Sequence, residues 1–139
     1  MQQNAPLERY SFERYLLEVA IVTLERGISA SKIATYEFLG PVDAWGFPKY
    51  PGSTLILPTE SDLLTGLHTF VRANRALLLE DDCWLGTWIH SQSRCYYLDI
   101  STSSPTLEEA RERALALGQA QGRKIVALYN AKRSQTIYL

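Results

Sequence analysis

The chain has 139 residues, of which 46% are hydrophobic and 21% are charged, and its formal net charge is −1. This length suits one domain spanning residues 1–139, and the composition excludes an intrinsically disordered chain. A net charge near zero argues against a protein that wraps duplex DNA through one large basic face. No apolar run approaches the roughly 20 residues that span a bilayer. Because Met1-Gln2-Gln3-Asn4 also lacks the layout of a secretory signal, we expect a soluble, cytoplasmic protein.

The first predicted element is an N-terminal helix over residues 6–27. Pro6 suits its first turn, and Gly27 suits a left-handed residue just past its end. Two apolar stripes run along it: Phe12, Leu16, Val19, Ala20 and Thr23 in one, and Leu17, Ile21, Leu24 and Ile28 in the other. A helix that is apolar over so much of its girth must be covered on more than one side. Either the rest of the domain or a second subunit covers it, and we expect a homo-oligomer.

The next segment, residues 32–57, is predicted to be extended, and residues 40–52 form an aromatic, Pro/Gly-rich loop within it. Two prolines and two glycines lie between Trp45 and Gly52. This composition argues against a central strand there. Lys32–Leu39 and Ser53–Leu57 are the predicted strands on either side.

The remaining pattern alternates helices with strands. The second helix opens at Thr59 with Asp62 in a variant capping box, and the third opens at Thr106 with Glu109 in the reciprocal position. The predicted strands are Ala76–Leu79, Trp84–Ile89, Cys95–Ile100, Ile125–Tyr129 and Thr136–Leu139.

These elements predict an α+β fold, a curved and mostly antiparallel sheet with helices packed on one face. The two Pro-Thr helix starts, Pro58-Thr59 and Pro105-Thr106, lie 47 residues apart. This spacing is compatible with two ββα-type repeats, and equally with two unrelated helices that use the same capping residues.

No constellation of residues indicates catalysis. The chain has no nucleophile elbow, phosphate loop or dinucleotide fingerprint. His90 stands about a strand's length from Asp82, roughly 25 Å, which argues against a shared metal site. Cys83 and Cys95 are predicted to be free thiols, too far apart for a disulfide. We therefore expect a non-enzymatic protein without a metal or an organic cofactor.

Aromatic and basic residues give the better functional lead. Alternation along the strand Trp84–Ile89 places Trp84 and Trp88 on one face, and the next strand contributes Tyr97. After Glu112 the chain carries basic side chains but no acidic one. This basic segment is either a solvated edge or an anion-binding surface. Exposed aromatics flanked by cations are typical of surfaces that hold single-stranded nucleic acid. The candidate nucleic-acid-binding residues are Trp84, Trp88, Tyr97, Arg94, Arg123, Lys124, Lys132 and Arg133.

Three segments carry a family resemblance: Cys95–Ser101, the helix start Leu107–Ala110, and Gly122–Tyr129. Together with the order of strands and helices, they resemble a group of small cyanobacterial proteins with the fold of the single-stranded-DNA-binding transcriptional regulators. The Whirly proteins and the positive-cofactor-four coactivator share that fold. The resemblance covers about residues 45–139 and implies binding of single-stranded DNA or RNA, without assigning a role to any residue by position.

Two functions follow from the sequence. In the first, the protein binds single-stranded nucleic acid through the candidate residues. In the second, it is a protein-interaction or oligomeric assembly module whose aromatic side chains, the tryptophans included, are buried in an interface.

Overall fold

The computed structural model describes residues 5–139. The prediction about a secretory signal rests on Met1–Asn4, which lie outside the described residues. Within residues 5–139 the chain forms three α-helices, one short 3-10 turn (Pro51–Ser53) and one seven-stranded antiparallel sheet. The helices are α1 (Ala5–Arg26), α2 (Leu63–Leu78) and α3 (Leu107–Gln121). The strands are β1 (Ile28–Ser31), β2 (Trp45–Pro48), β3 (Leu55–Leu57), β4 (Trp84–Ile89), β5 (Tyr96–Ser104), β6 (Ala127–Asn130) and β7 (Gln135–Tyr138). The predicted α+β class is confirmed.

The sheet is built around the long strand β5. Its strand order is β1-β4-β5-β2-β6-β7, and β3 pairs with the first residues of β5, before β2 takes over the same edge. Side chains alternate between the two faces of a strand. Leu98 and Ile100 of β5 therefore share one face with Leu85 of β4 and with Phe47 of β2.

All three helices cover that one face. Leu16 and Val19 of α1 join Leu67 of α2 in a core with Leu85, Leu98 and Ile100. Ala110 and Ala114 of α3 pack with Trp45, Phe47 and Leu128 in a second, smaller core. The opposite face of the sheet carries no α-helix in the part of the chain described; the short 3-10 turn Pro51–Ser53 borders it through Pro51.

Local signals placed the helix ends well. Gly27 has a φ of +80°, and its N–H donates to the carbonyl of Thr23, so the predicted left-handed end of α1 is confirmed. The Thr106 hydroxyl accepts the Glu109 N–H at 3.2 Å, as the capping box requires. For α2 the N-cap is Asp62 itself, five residues after the last residue of β3, Leu57, and three beyond the predicted start at Thr59.

Two strand predictions and one loop prediction were wrong. Lys32–Leu39 is mostly turn, and the strand lies just before it, at Ile28–Ser31. Ala76–Leu79 is not a strand: Ala76 to Leu78 continue α2 beyond a kink at Asn74, whose side-chain amide donates to the Phe70 carbonyl. The predicted repeat consequently lacks one of its matching strands.

The third error concerns residues 40–52, predicted as a loop but containing the central strand β2. Trp45 and Gly46 pair with both β5 and β6, whereas Pro48 pairs with β5 alone. The missing N–H of Pro48 therefore lies beyond the end of β6 and leaves no ladder bond unmade.

Candidate nucleic-acid interface

The helix-free face of the sheet carries a mixture of aromatic, small and acidic side chains. Antiparallel register places Trp84, Gly86 and Trp88 of β4 on it, opposite Ser101, Asp99 and Tyr97 of β5. Neither Trp84 nor Trp88 is sealed inside the chain, because both are partly exposed. The buried tryptophan is Trp45, on the opposite face, with 3% of its surface exposed.

The sheet curls around this face and makes it concave. β4 and β7 are four strands apart in the sheet, which is roughly 19 Å in a flat sheet at ~4.8 Å per strand. Nevertheless, the rings of His90 and Tyr138 lie 5.5 Å apart, and the Ser91 and Tyr138 hydroxyls are 2.9 Å apart. β4 and β7 therefore face each other across a groove.

Four rings form an aromatic cluster in this groove: Trp88, His90, Tyr97 and Tyr138. The centroids of Trp88 and Tyr97 are 4.3 Å apart with an interplanar angle of 30°, and His90 lies 5.6 Å from Trp88 and 5.8 Å from Tyr97. His90 Nδ1 accepts the backbone N–H of Gln92, which fixes the imidazole over its turn. Tyr138 is 48% exposed, so the cluster is open to solvent on that side.

Asp99 forms the floor of the groove. Its carboxylate is buried and accepts two hydrogen bonds, from the Thr54 hydroxyl at 2.7 Å and from the Trp88 indole N–H at 3.1 Å. Burial raises the pKa of Asp99 to about 6, although both hydrogen bonds and the charge of Arg123 act in the opposite direction. Asp99 of β5 thus links β4 to Thr54, the residue just before β3, and holds the Trp88 ring in place.

Two cations border the groove. Arg123 donates to the Thr54 carbonyl at 2.6 Å, which places its guanidinium beside the Asp99 floor. Lys124 is exposed, and both residues line a pocket of about 100 Å³ with Trp88, Tyr97 and Asp99. Arg94 is also exposed and has a φ of +61° in the turn that joins β4 to β5, next to His90.

The other three predicted site residues lie elsewhere. Trp84 is four residues from Trp88 along β4, roughly 13 Å at the rise of a strand, with its ring beside Gly46. Lys132 and Arg133 lie in the turn between β6 and β7, at the end of β7 away from Tyr138. The Arg133 guanidinium is paired there with Asp43 at 3.0 Å.

Three members of the groove were absent from the predicted site: His90, Asp99 and Tyr138. His90 entered the sequence analysis only as a candidate metal ligand, and Asp99 and Tyr138 were not among the candidate residues. Tyr138 is 48 residues from His90 in sequence, and only the curl of the sheet brings them together. No short sequence pattern indicates a contact between two residues so far apart in the chain.

Glu80, Asp82 and Cys83 form a second polar cluster, in which one ligand atom from each lies within 4.8 Å of the others. Lys49 Nζ donates to Glu80 at 2.8 Å and to Asp82 at 3.0 Å, so an ammonium already occupies the position between the carboxylates. Burial, aided by the neighbouring carboxylates, raises the pKa of the Cys83 thiol to about 11. The geometry is therefore that of an ion-pair cluster around the Lys49 ammonium.

A larger pocket, of about 490 Å³, lies beside α3, between that helix and the segment 122–125 that follows it. Its lining is mainly apolar, with Ala114, Leu115, Gly118 and Ile125 forming the surface, and Arg123 and Lys124 separate it from the groove. It offers no carboxylate, imidazole or thiol for chemistry.

Comparison with family models, curated proteins and solved structures found no match for this chain. The resemblance to the single-stranded-DNA-binding regulators therefore stays a prediction. None of the helices in residues 5–139 combines the length and apolar character that crossing a membrane demands.

Proposed function

We propose that this protein binds single-stranded nucleic acid in the groove on the helix-free face of its sheet. The observation that carries the proposal is the aromatic cluster of Trp88, His90, Tyr97 and Tyr138, which the curl of the sheet gathers from β4, β5 and β7 and which is partly open to solvent. Large aromatic side chains are ordinarily buried in a protein's own core. Four rings that share a concave surface provide a stacking platform instead, and stacking on an aromatic ring contributes about 1–3 kcal/mol per base.

The charges around the cluster suit the same ligand. Arg123 and Lys124 line the pocket beside the aromatic cluster, and the exposed Arg94 lies in the turn next to His90; all three would follow the phosphates of a bound strand. The buried carboxylate of Asp99 would repel a phosphate, but it accepts hydrogen bonds, and base edges offer N–H donors. The bases would then point into the groove while the backbone stays at its rim.

The small size of the pocket above Asp99 argues against a small-molecule site in the groove. Pockets that enclose small ligands measure about 300–1,000 Å³, whereas the pocket above Asp99 measures about 100 Å³. It admits the edge of a planar ring and leaves the rest of a ligand outside. An extended polymer that inserts single bases meets this geometry better than an enclosed metabolite does.

Tryptophan fluorescence tests the proposal directly. We expect oligo(dT) at low salt to quench the emission of the native protein, and we expect Trp84→Phe to keep this quenching while Trp88→Phe removes most of it. The two variants are matched, because both residues lie on the same face of β4 and both are partly exposed. Emission that does not change when oligo(dT) is added to the native protein would overturn the proposal.

The salt dependence of binding tests the role of the cations. For single strands, log K falls with log[salt] with a slope of about −0.7 per neutralised phosphate. Lys124→Gln should therefore make the slope shallower by about 0.7, and Lys132→Gln, at the distant turn, should leave it unchanged. An equal effect of both substitutions would show that binding is not localised in the groove.

A further inference from the structure

A row of apolar side chains on α1 faces solvent. Leu17, Ile21 and Leu24 are 46%, 44% and 56% exposed, and Leu7 and Tyr10 extend the row toward the N-terminus. The inner stripe predicted from the sequence is buried against the sheet and α2. The outer stripe remains exposed, because no other element of the described chain covers it. Monomeric proteins seldom expose contiguous apolar surface of this kind without an interaction to fill it.

The spacing of the row is that of a coiled-coil seam. Successive positions Leu7, Tyr10, Arg14, Leu17, Ile21 and Leu24 are separated by three and four residues in alternation. That repeat is the a/d pattern with which two helices pack knobs into holes. A seam of this type is complementary to another copy of itself, and two-fold dimers are the commonest assemblies of identical chains.

The charges on α1 select one orientation. In a parallel, in-register pair, Arg14 would face Arg14, and the flanking Glu13 would face Glu18 across the seam. Both contacts join like charges. In an antiparallel pair, Leu7 faces Leu24, Tyr10 faces Ile21 and Arg14 faces Leu17, with Glu18 of the second copy level with the Arg14 guanidinium.

We propose that two copies of this chain associate through α1, packed antiparallel about a two-fold axis at the level of residues 15 and 16. Each half of the interface then contains two apolar layers and one Arg14–Glu18 ion pair. The interface uses no residue of the groove, so this proposal stands independently of nucleic-acid binding.

Sedimentation equilibrium gives the first test. We expect a mass twice the 15.7 kDa of one chain, and we expect Leu17→Glu to reduce it to the monomer with the circular dichroism spectrum unchanged. Leu115→Glu is the matched control, because Leu115 is also apolar, helical and exposed, at 65%, but lies on α3. The Leu115→Glu variant should remain dimeric.

A native chain that is monomeric at high micromolar concentration would overturn the proposal. If Leu115→Glu also dissociates the dimer, α1 docks instead into the pocket beside α3, which likewise overturns it.

Charge exchange and crosslinking test the orientation. Arg14→Glu should weaken association by bringing two acidic residues together, and Arg14→Glu with Glu18→Arg should restore it. In a Cys95→Ser background, a mixture of Leu7→Cys and Leu24→Cys chains should form a mixed disulfide, whereas Leu24→Cys alone should not crosslink. Efficient crosslinking of Leu24→Cys alone would show a parallel pair and refute the antiparallel arrangement.

Discussion

The buried carboxylate of Asp99 makes the stability of this protein depend on pH in a direction opposite to that of most carboxylates. Its pKa rises from an ordinary value of 3.8 to about 6 in the folded chain, chiefly because burial disfavours the charged form. The folded state therefore holds the proton more tightly than the unfolded state does. Asp99 contributes most to stability below pH 3.8, and that contribution is lost as the pH rises through about 6.

The size of this effect follows from the two pKa values. A shift of one unit corresponds to 1.36 kcal/mol, so a shift of about two units corresponds to about 3 kcal/mol between acid and neutral pH. Asp99→Asn isolates this contribution because an amide does not titrate. The amide can keep both contacts, with its oxygen accepting from the Trp88 indole and its nitrogen donating to the Thr54 hydroxyl.

Urea unfolding of the native protein and of Asp99→Asn at a series of pH values is the assay. Taking the difference between the two proteins at each pH cancels the groups whose pKa is lowered by folding, such as Asp62 and Glu80. The native chain should lose up to about 3 kcal/mol relative to the variant between about pH 4 and pH 8. A difference that stays flat across this range would contradict a raised pKa of Asp99 and show that the carboxylate is better solvated than its burial indicates.

Two further predictions concern single elements of the fold. Thr106→Ala removes the hydroxyl that accepts the Glu109 N–H and should cost about 1 kcal/mol in the free energy of unfolding, measured in urea, whereas Thr106→Ser should retain it. A thiol-reactive reagent at mildly alkaline pH should modify Cys95 rapidly in the native protein and Cys83 only on unfolding. The reason is that Cys83 is buried and its pKa is raised to about 11. Modification of both thiols in the native protein would contradict this burial.

The sequence predicted best what depends on local chemistry. The end of α1 at Gly27 and the start of α3 at Thr106 follow from backbone conformation and capping within one helical turn. The face of β4 that carries Trp84 and Trp88 follows from simple alternation. Such features require no knowledge of what lies across the sheet.

The errors arose where tertiary contacts outweigh local propensity. Trp45–Pro48 forms a central strand because Trp45 and Phe47 bury their rings against α3, and because Pro48 lies beyond the end of β6. Ala76–Leu78 has the composition of a buried strand, yet Leu77 and Leu78 pack into the main core as the last turn of α2. In both segments, hydrophobic burial decides the structure and the residue types alone do not.

The groove could be predicted only in part, because it depends on curvature. Trp88, Tyr97, Arg123 and Lys124 were identified as candidates from residue type, and the structure brings them to one pocket. The contact between His90 and Tyr138 needs the curl of five neighbouring strands, which no pairwise pattern in the sequence encodes.

Gly86 tests the link between this curvature and the groove. It lies in the middle of β4 on the concave face. A Cβ at this position would overlap the Ser101 hydroxyl of the neighbouring strand and would lie 3.2 Å from the Cβ of Ser101. Small side chains on the inside of the curl let the two strands bend toward each other. Gly86→Ala should therefore cost about 1–3 kcal/mol of stability as overpacking, and Gly86→Ala with Ser101→Gly should recover most of it. Binding of oligo(dT) should fall and recover in parallel, since a flatter sheet separates His90 from Tyr138. If Gly86→Ala destabilises the fold but leaves oligo(dT) affinity unchanged, the ligand does not depend on the curvature that assembles the aromatic cluster.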